Sequence, residues 1–147
     1  MAYDFQLYIE FFTPSIVMRF FNEVILPGGG DSYEISKDDG AYLLQSRYAT
    51  ALEKERIHAL TGSDLRTQVV CSIKRPDVVS AADIVSGLVD RLVYDISRDF
   101  LIADGQGEII IMRRDYDLTL GEGMEERFNL DIAERSYDVR QLPLLET

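Results

Sequence analysis

Residues 80–96, SAADIVSGLVDRLVYDI, decide the fold class. Ile84, Val85, Leu88, Val89, Leu92, Val93 and Ile96 recur at offsets of three, four and one, the spacing that gathers side chains into one stripe of an α-helix. Ser80 followed by Asp83 resembles a capping box with aspartate in place of the usual glutamate. Upstream, Thr67, Val69, Cys71 and Ile73 share one face of a strand over 67–73 that Pro76 closes. Downstream, 100–103 and 108–113 read as two β segments around Asp104-Gly105-Gln106-Gly107, where glycine accepts the positive φ of a tight turn.

Further out, Phe5, Leu7, Ile9 and Phe11 alternate with Gln6, Tyr8 and Glu10, which predicts a first strand with one face on the core. Thr13 caps and Pro14 opens a first helix, carried on by Ile16, Val17, Phe20, Phe21 and Val24 and stopped by Pro27-Gly28-Gly29-Gly30. The polar, turn-rich stretch 31–40 reads as a loop with at most a short irregular strand. Tyr42 to Tyr48 reads as a second strand, and 50–61 as either a short helix or a continuation of that strand. Residues 116–120 could add one more. The order βαββαβ with a closing hairpin predicts an α+β fold of ferredoxin-like type: an antiparallel sheet, two main helices on one face and an extra C-terminal hairpin.

The chain has 147 residues, enough for one domain that buries roughly 70% of its unfolded surface, and too few for two cores. The whole of 1–147 is therefore read as a single domain. Its formal charge is −11, which works against attraction to nucleic acid or an anionic membrane. Residues 115–147 hold nine acidic and three basic side chains, a net of −6 against −5 for all that precedes them. No signal-peptide pattern opens the chain and no window approaches a membrane span, so a cytoplasmic location is expected.

Chemistry-bearing motifs are sparse. One cysteine and one histidine leave no closed zinc site within a chain, and neither a metal nor another cofactor is expected. Gly28-Gly29-Gly30 leaves a helix and meets Asp31, unlike a phosphate loop, and 104–107 lacks the spacing of a dinucleotide fingerprint. Asp38-Asp39-Gly40 lacks the spacing of a calcium loop. His58 has only Glu53, Glu55 and Asp64 nearby and reads as a solvated side chain. Cys71 falls on an apolar strand face, so it reads as a small buried hydrophobe, although Lys74 and Arg75 keep a thiolate in view. Asp115 and Asp117 could hold Mg²⁺ or Mn²⁺ only if further oxygen ligands converge.

The acidic segment is the most unusual regional feature. Asp115, Asp117, Glu122, Glu125, Glu126, Asp131 and Glu134 could steer a basic protein partner, with Tyr116, Phe128 and Tyr137 as anchors or as core. Plain solubility explains the same charges about as well. The opening Tyr3-Asp4-Phe5-Gln6-Leu7-Tyr8 followed by Thr13-Pro14, the run Phe100-Leu101-Ile102 leading through the turn into Ile109-Ile110-Ile111-Met112-Arg113-Arg114, and the ending Leu142-Pro143-Leu144 resemble small bacterial immunity proteins of polymorphic toxin systems. The particular likeness is to those paired with toxins that myxobacterial cells pass by outer-membrane exchange. That resemblance implies a cytoplasmic, noncatalytic protein that neutralises a toxin by covering it, and the acidic balance is compatible with a basic toxin domain. A ligand-binding or oligomeric regulatory module of the same fold, with a homodimer among its forms, and a small carboxylate- or metal-dependent enzyme are the alternatives.

Overall fold

A computed structural model describes residues 3–10, 12–20, 32–132 and 137–145. Its α+β architecture is built on one eight-stranded sheet. The strands are β1 (Phe5–Ile9), β2 (Ser32–Lys37), β3 (Tyr42–Tyr48), β4 (Thr67–Ile73), β5 (Phe100–Asp104), β6 (Ile109–Arg114), β7 (Asp117–Gly121) and β8 (Tyr137–Arg140), and they lie side by side in the order β2-β3-β4-β1-β5-β6-β7-β8. β1 is central because its neighbours on both sides match its alternation: Leu7 stands opposite Val69 of β4 and Ile102 of β5.

The helices are α1 (Pro14–Val17), α2 (Ala51–Thr61), α3 (Ala81–Tyr94) and α4 (Met124–Arg127), with a 3₁₀ turn at Met18–Phe20 after α1. α3 forms as its stripe predicts, with Ser80 Oγ accepting from Asp83 N–H and Val85, Leu88, Val89, Leu92 and Val93 buried. Together with Val17 and Met18 these side chains cover Phe5, Leu7, Ile9, Val69, Cys71 and Ile102. The Thr13 cap and Pro14 start of the first helix are present. Its expected continuation through Phe21 and Val24, and the Gly28-Gly29-Gly30 stop before Asp31, lie outside the described residues.

The choice left open over 50–61 is resolved by its ends. Thr50 Oγ1 accepts from Glu53 N–H while Glu53 reaches back to Thr50 N–H, and Gly62 closes the helix at φ 77°. A weak apolar stripe with two good caps is enough for α2 because its neighbours cover it. α2 lies on the opposite sheet face from α3, where Ile57 packs with Tyr8, Leu65, Leu101, Ala103 and Ile109. Hence all five β1 residues are buried, including Gln6 and Tyr8, which a one-sided sheet would have left wet.

Three expectations about the sheet are corrected. The stretch expected as a loop contains β2, paired with β3 across a turn in which Asp38, Asp39 and Gly40 all have positive φ. Alternating Ser32, Glu34 and Ser36 on an exposed face hid its strand period, while Asp and Gly at left-handed positions mark the hairpin. β2 consequently covers β3, so Tyr42–Tyr48 is an interior strand. The sheet is also mixed and larger than expected, because β8 adds to β7 in parallel. The expected C-terminal hairpin is present as β5 and β6, but β7 and β8 extend the sheet beyond it.

The chain end packs onto the body as its apolar residues imply. Leu145 is buried and its N–H donates to Gly107 O at 2.7 Å. Gly107 has φ 87°, and a Cβ there would stand 2.5 Å from Leu145 O, so both the turn and the docked tail require glycine. Among the described residues, no helix is long and apolar enough to cross a membrane.

Candidate functional site

The acidic segment supplies two separate clusters. Asp115 and Tyr116 form the two-residue β6–β7 turn with φ 49° and 74°, and Asp115 N–H is held by Asp99 Oδ1 at 3.0 Å. The turn pushes Tyr116 out to 81% exposure. Asp117, also exposed, begins β7. Glu122, Glu125, Glu126 and Asp131 are exposed as well, but they follow the far end of β7, roughly 17 Å away at the rise of a five-residue strand. The structure therefore does not bring Asp115 and Asp117 together with the other carboxylates. No group of three or more metal-ligating side chains occurs among the described residues.

The aromatic residues divide in the same way. Phe128 is buried in the core beneath the Arg127 guanidinium, 4.9 Å from its ring centre, so it supports α4 and offers no contact surface. Tyr137 donates to Glu125 Oε2 at 3.0 Å, and that bond pushes the phenol pKa up. Glu134 lies outside the described residues. Cys71 is buried, and burial followed by the charge of Asp4 pushes its thiol up to about 12, which removes the thiolate reading despite Lys74 and Arg75. His58 is exposed on α2.

A different site lies on the sheet face that α2 occupies. Two cross-strand rows run over this face: Glu34, Gln45, Val70 and Gln6, and beside it Ser32, Arg47, Gln68 and Tyr8. α2 and the chain end cover the β1, β5 and β6 side, leaving a cavity of about 540 Å³ over the polar β2, β3 and β4 side. Gln6, Arg47, Glu53 and Gln68 line it together with Tyr3 and Tyr33.

A linked polar network forms its floor. Arg47 grips Glu53 with two bonds of 2.9 and 3.1 Å, and Thr50 N–H donates to Glu53 Oε1 at 2.8 Å. Tyr8 Oη donates to Glu53 Oε2 at 3.0 Å and accepts from Gln68 Nε2 at 2.7 Å. Burial, reinforced by Glu53, drives the Tyr8 phenol far above its usual range, so it stays a hydroxyl donor. Burial alone would raise Glu53, but the Thr50 N–H, the Arg47 guanidinium and the Tyr8 hydroxyl outweigh it and lower the carboxyl. Sequence reasoning missed this site because Gln6 and Gln68 are 62 residues apart and meet only through the β1–β4 register.

A pH-dependent effect follows for Glu53→Gln. A carboxyl lowered by folding stabilises the native state above its unfolded pKa, and this contribution fades as pH falls through the lower folded value. The variant should be about 1 kcal/mol less stable at pH 7, from the lost ion pair with Arg47 and the weaker bonds that a neutral oxygen accepts from Thr50 and Tyr8. The difference should shrink below pH 4.5, the ordinary glutamate value, as wild-type Glu53 protonates. Urea unfolding at pH 7 and pH 3 checks this; a gap that does not shrink with acid would show that Glu53 acts through its shape.

No protein-family model matches the chain, and no solved structure matches it. Among curated proteins, it is 30% identical over 122 residues to the cell polarity protein mor2 of Schizosaccharomyces pombe, an alignment covering 77% of this chain. The chain spans 5% of that protein's length.

Proposed function

We propose that this chain is a cytoplasmic, noncatalytic immunity-type protein of ferredoxin-like fold that binds and neutralises a cognate toxin through protein–protein contact. The antiparallel order β3-β4-β1-β5, with α1 and α3 against one face, supports the fold part of this reading. The observation that carries the functional part is the exposure of Asp115, Asp117, Glu122, Glu125, Glu126 and Asp131 on a chain of net charge −11. Such a surface accelerates encounter with a basic partner and disfavours acidic ones. Tyr116, at 81% exposure, is the aromatic side chain placed to anchor that contact. The mor2 similarity covers too little of that protein to transfer an activity to this chain.

Glu122→Lys combined with Glu126→Lys tests the proposal without touching the Glu125–Tyr137 bond. Both positions are exposed, so the fold should be retained. Association with a basic toxin should slow by about tenfold at low salt, and the dependence of its rate on ionic strength should flatten. Stopped-flow binding reads both quantities. An unchanged rate and salt slope would make the acidic surface a solvated face with no part in recognition. The sheet-face cavity favours a second reading, a ligand-binding module of the same fold.

A further inference from the structure

Gln6 is fully buried and Gln68 is 3% exposed, yet each holds a polar atom with nothing to bond. Gln68 Nε2 donates to Gln6 Oε1 at 3.0 Å and to Tyr8 Oη, which anchors the pair through Glu53 to Arg47 and Thr50. Gln6 Nε2 and Gln68 Oε1 then remain without a partner. The bond to Tyr8 fixes how the amides face, because turning them over would set Gln68 Oε1 against Tyr8 Oη, whose hydrogen is given to Glu53. Native proteins rarely leave buried amide atoms uncompensated, and both of these residues line the cavity.

We infer that the cavity binds a small, neutral, planar molecule presenting a hydrogen-bond acceptor and donor together, the lactam and primary-carboxamide class. Neutrality follows from the lining charges: Arg47 is already engaged in both directions with Glu53, and Glu34 adds a negative wall that disfavours anions. Planarity follows from the conjugated amide that such a paired donor and acceptor edge requires, with Tyr3 lining the cavity beside the glutamines. Tyr3 is half-buried and stands beside Gln6 at the edge of the cavity. This inference stands apart from toxin binding, since it uses the opposite end of the sheet from α4 and β8.

Titration of ¹⁵N-labelled protein with 2-pyridone, uracil and nicotinamide, followed through the side-chain amide signals, tests it. At least one of the three should give saturable shifts at Gln6 and Gln68. The matching fully N-methylated compounds, N-methyl-2-pyridone, 1,3-dimethyluracil and N,N-dimethylnicotinamide, which lack the donor, should bind about tenfold more weakly or worse, because they leave Gln68 unpaired. Gln68→Met should abolish the shifts while keeping the far-ultraviolet circular dichroism. The wild-type comparison of methylated and unmethylated compounds stands even if that variant fails to fold. Absence of saturable shifts with all three compounds up to about 10 mM, or equal binding of the methylated forms, would overturn the inference.

Discussion

Leu88→Asp is expected to remove most of the stability of the fold. Leu88 is 3% exposed in the middle of α3, facing the core between the helix and β1, β4 and β5. The substitution exchanges an apolar core side chain for a carboxylate. The lost contacts and the buried charge together should cost about 4 kcal/mol or more, a large part of the 5–15 kcal/mol that a domain usually has. Thermal unfolding should show a collapse of the melting temperature, whereas Arg91→Lys on the exposed side of the same helix should change it little. An unchanged melting temperature in Leu88→Asp would refute the packing of α3 on the sheet.

Arg113→Met should produce the next largest loss. Arg113 is 6% exposed, and its guanidinium closes the C-terminal end of α3 by donating to Leu92 O at 3.1 Å, Val93 O at 2.9 Å and Ile96 O. It also stands 5.4 Å from the centre of the Phe100 ring. The Leu92 and Val93 carbonyls are among those a helix end leaves without internal partners, and a cation there also complements the helix dipole. Methionine retains the apolar stem and removes every donor, so the expected cost is about 3 kcal/mol in urea unfolding. Arg113→Lys should recover only part of this, because an ammonium lacks the fork that spans several carbonyls. Equal stability of the methionine variant would mean that solvent can satisfy the helix end unaided.

Arg113 also illustrates where sequence reasoning ends. Ile109 to Arg113 was legible as a strand, and the α3 stripe as a helix, because each depends on spacing within a few residues. That an arginine in β6 would terminate α3 depends on how the two elements pack. β2 escaped notice for a related reason: one face of an edge strand is wet, so Ser32, Glu34 and Ser36 look like a loop. β8 is similarly exposed and pairs with β7 in parallel, leaving neither a continuous apolar run nor a hairpin turn to announce it. The open question at 50–61 turned on Thr50, Glu53 and Gly62, whose capping signals outweigh a faint stripe.

The candidate site was legible only in part. The negative charge of 115–147 was visible, but its division between the two ends of β7, and the burial of Phe128, required the fold. The glutamines of the sheet face carried no warning, since glutamine on a strand normally marks the solvent side. They are enclosed because α2 returns over β1 and sets Glu53 against Tyr8.

The most direct test of the proposed function is co-expression of this chain with the product of the gene adjacent to its own, reading growth and, after purification, co-elution. The proposal predicts that the neighbouring product alone arrests growth, that this chain restores it, and that the two elute together as a stable complex. Growth that stays arrested while both proteins are soluble and elute separately would contradict it.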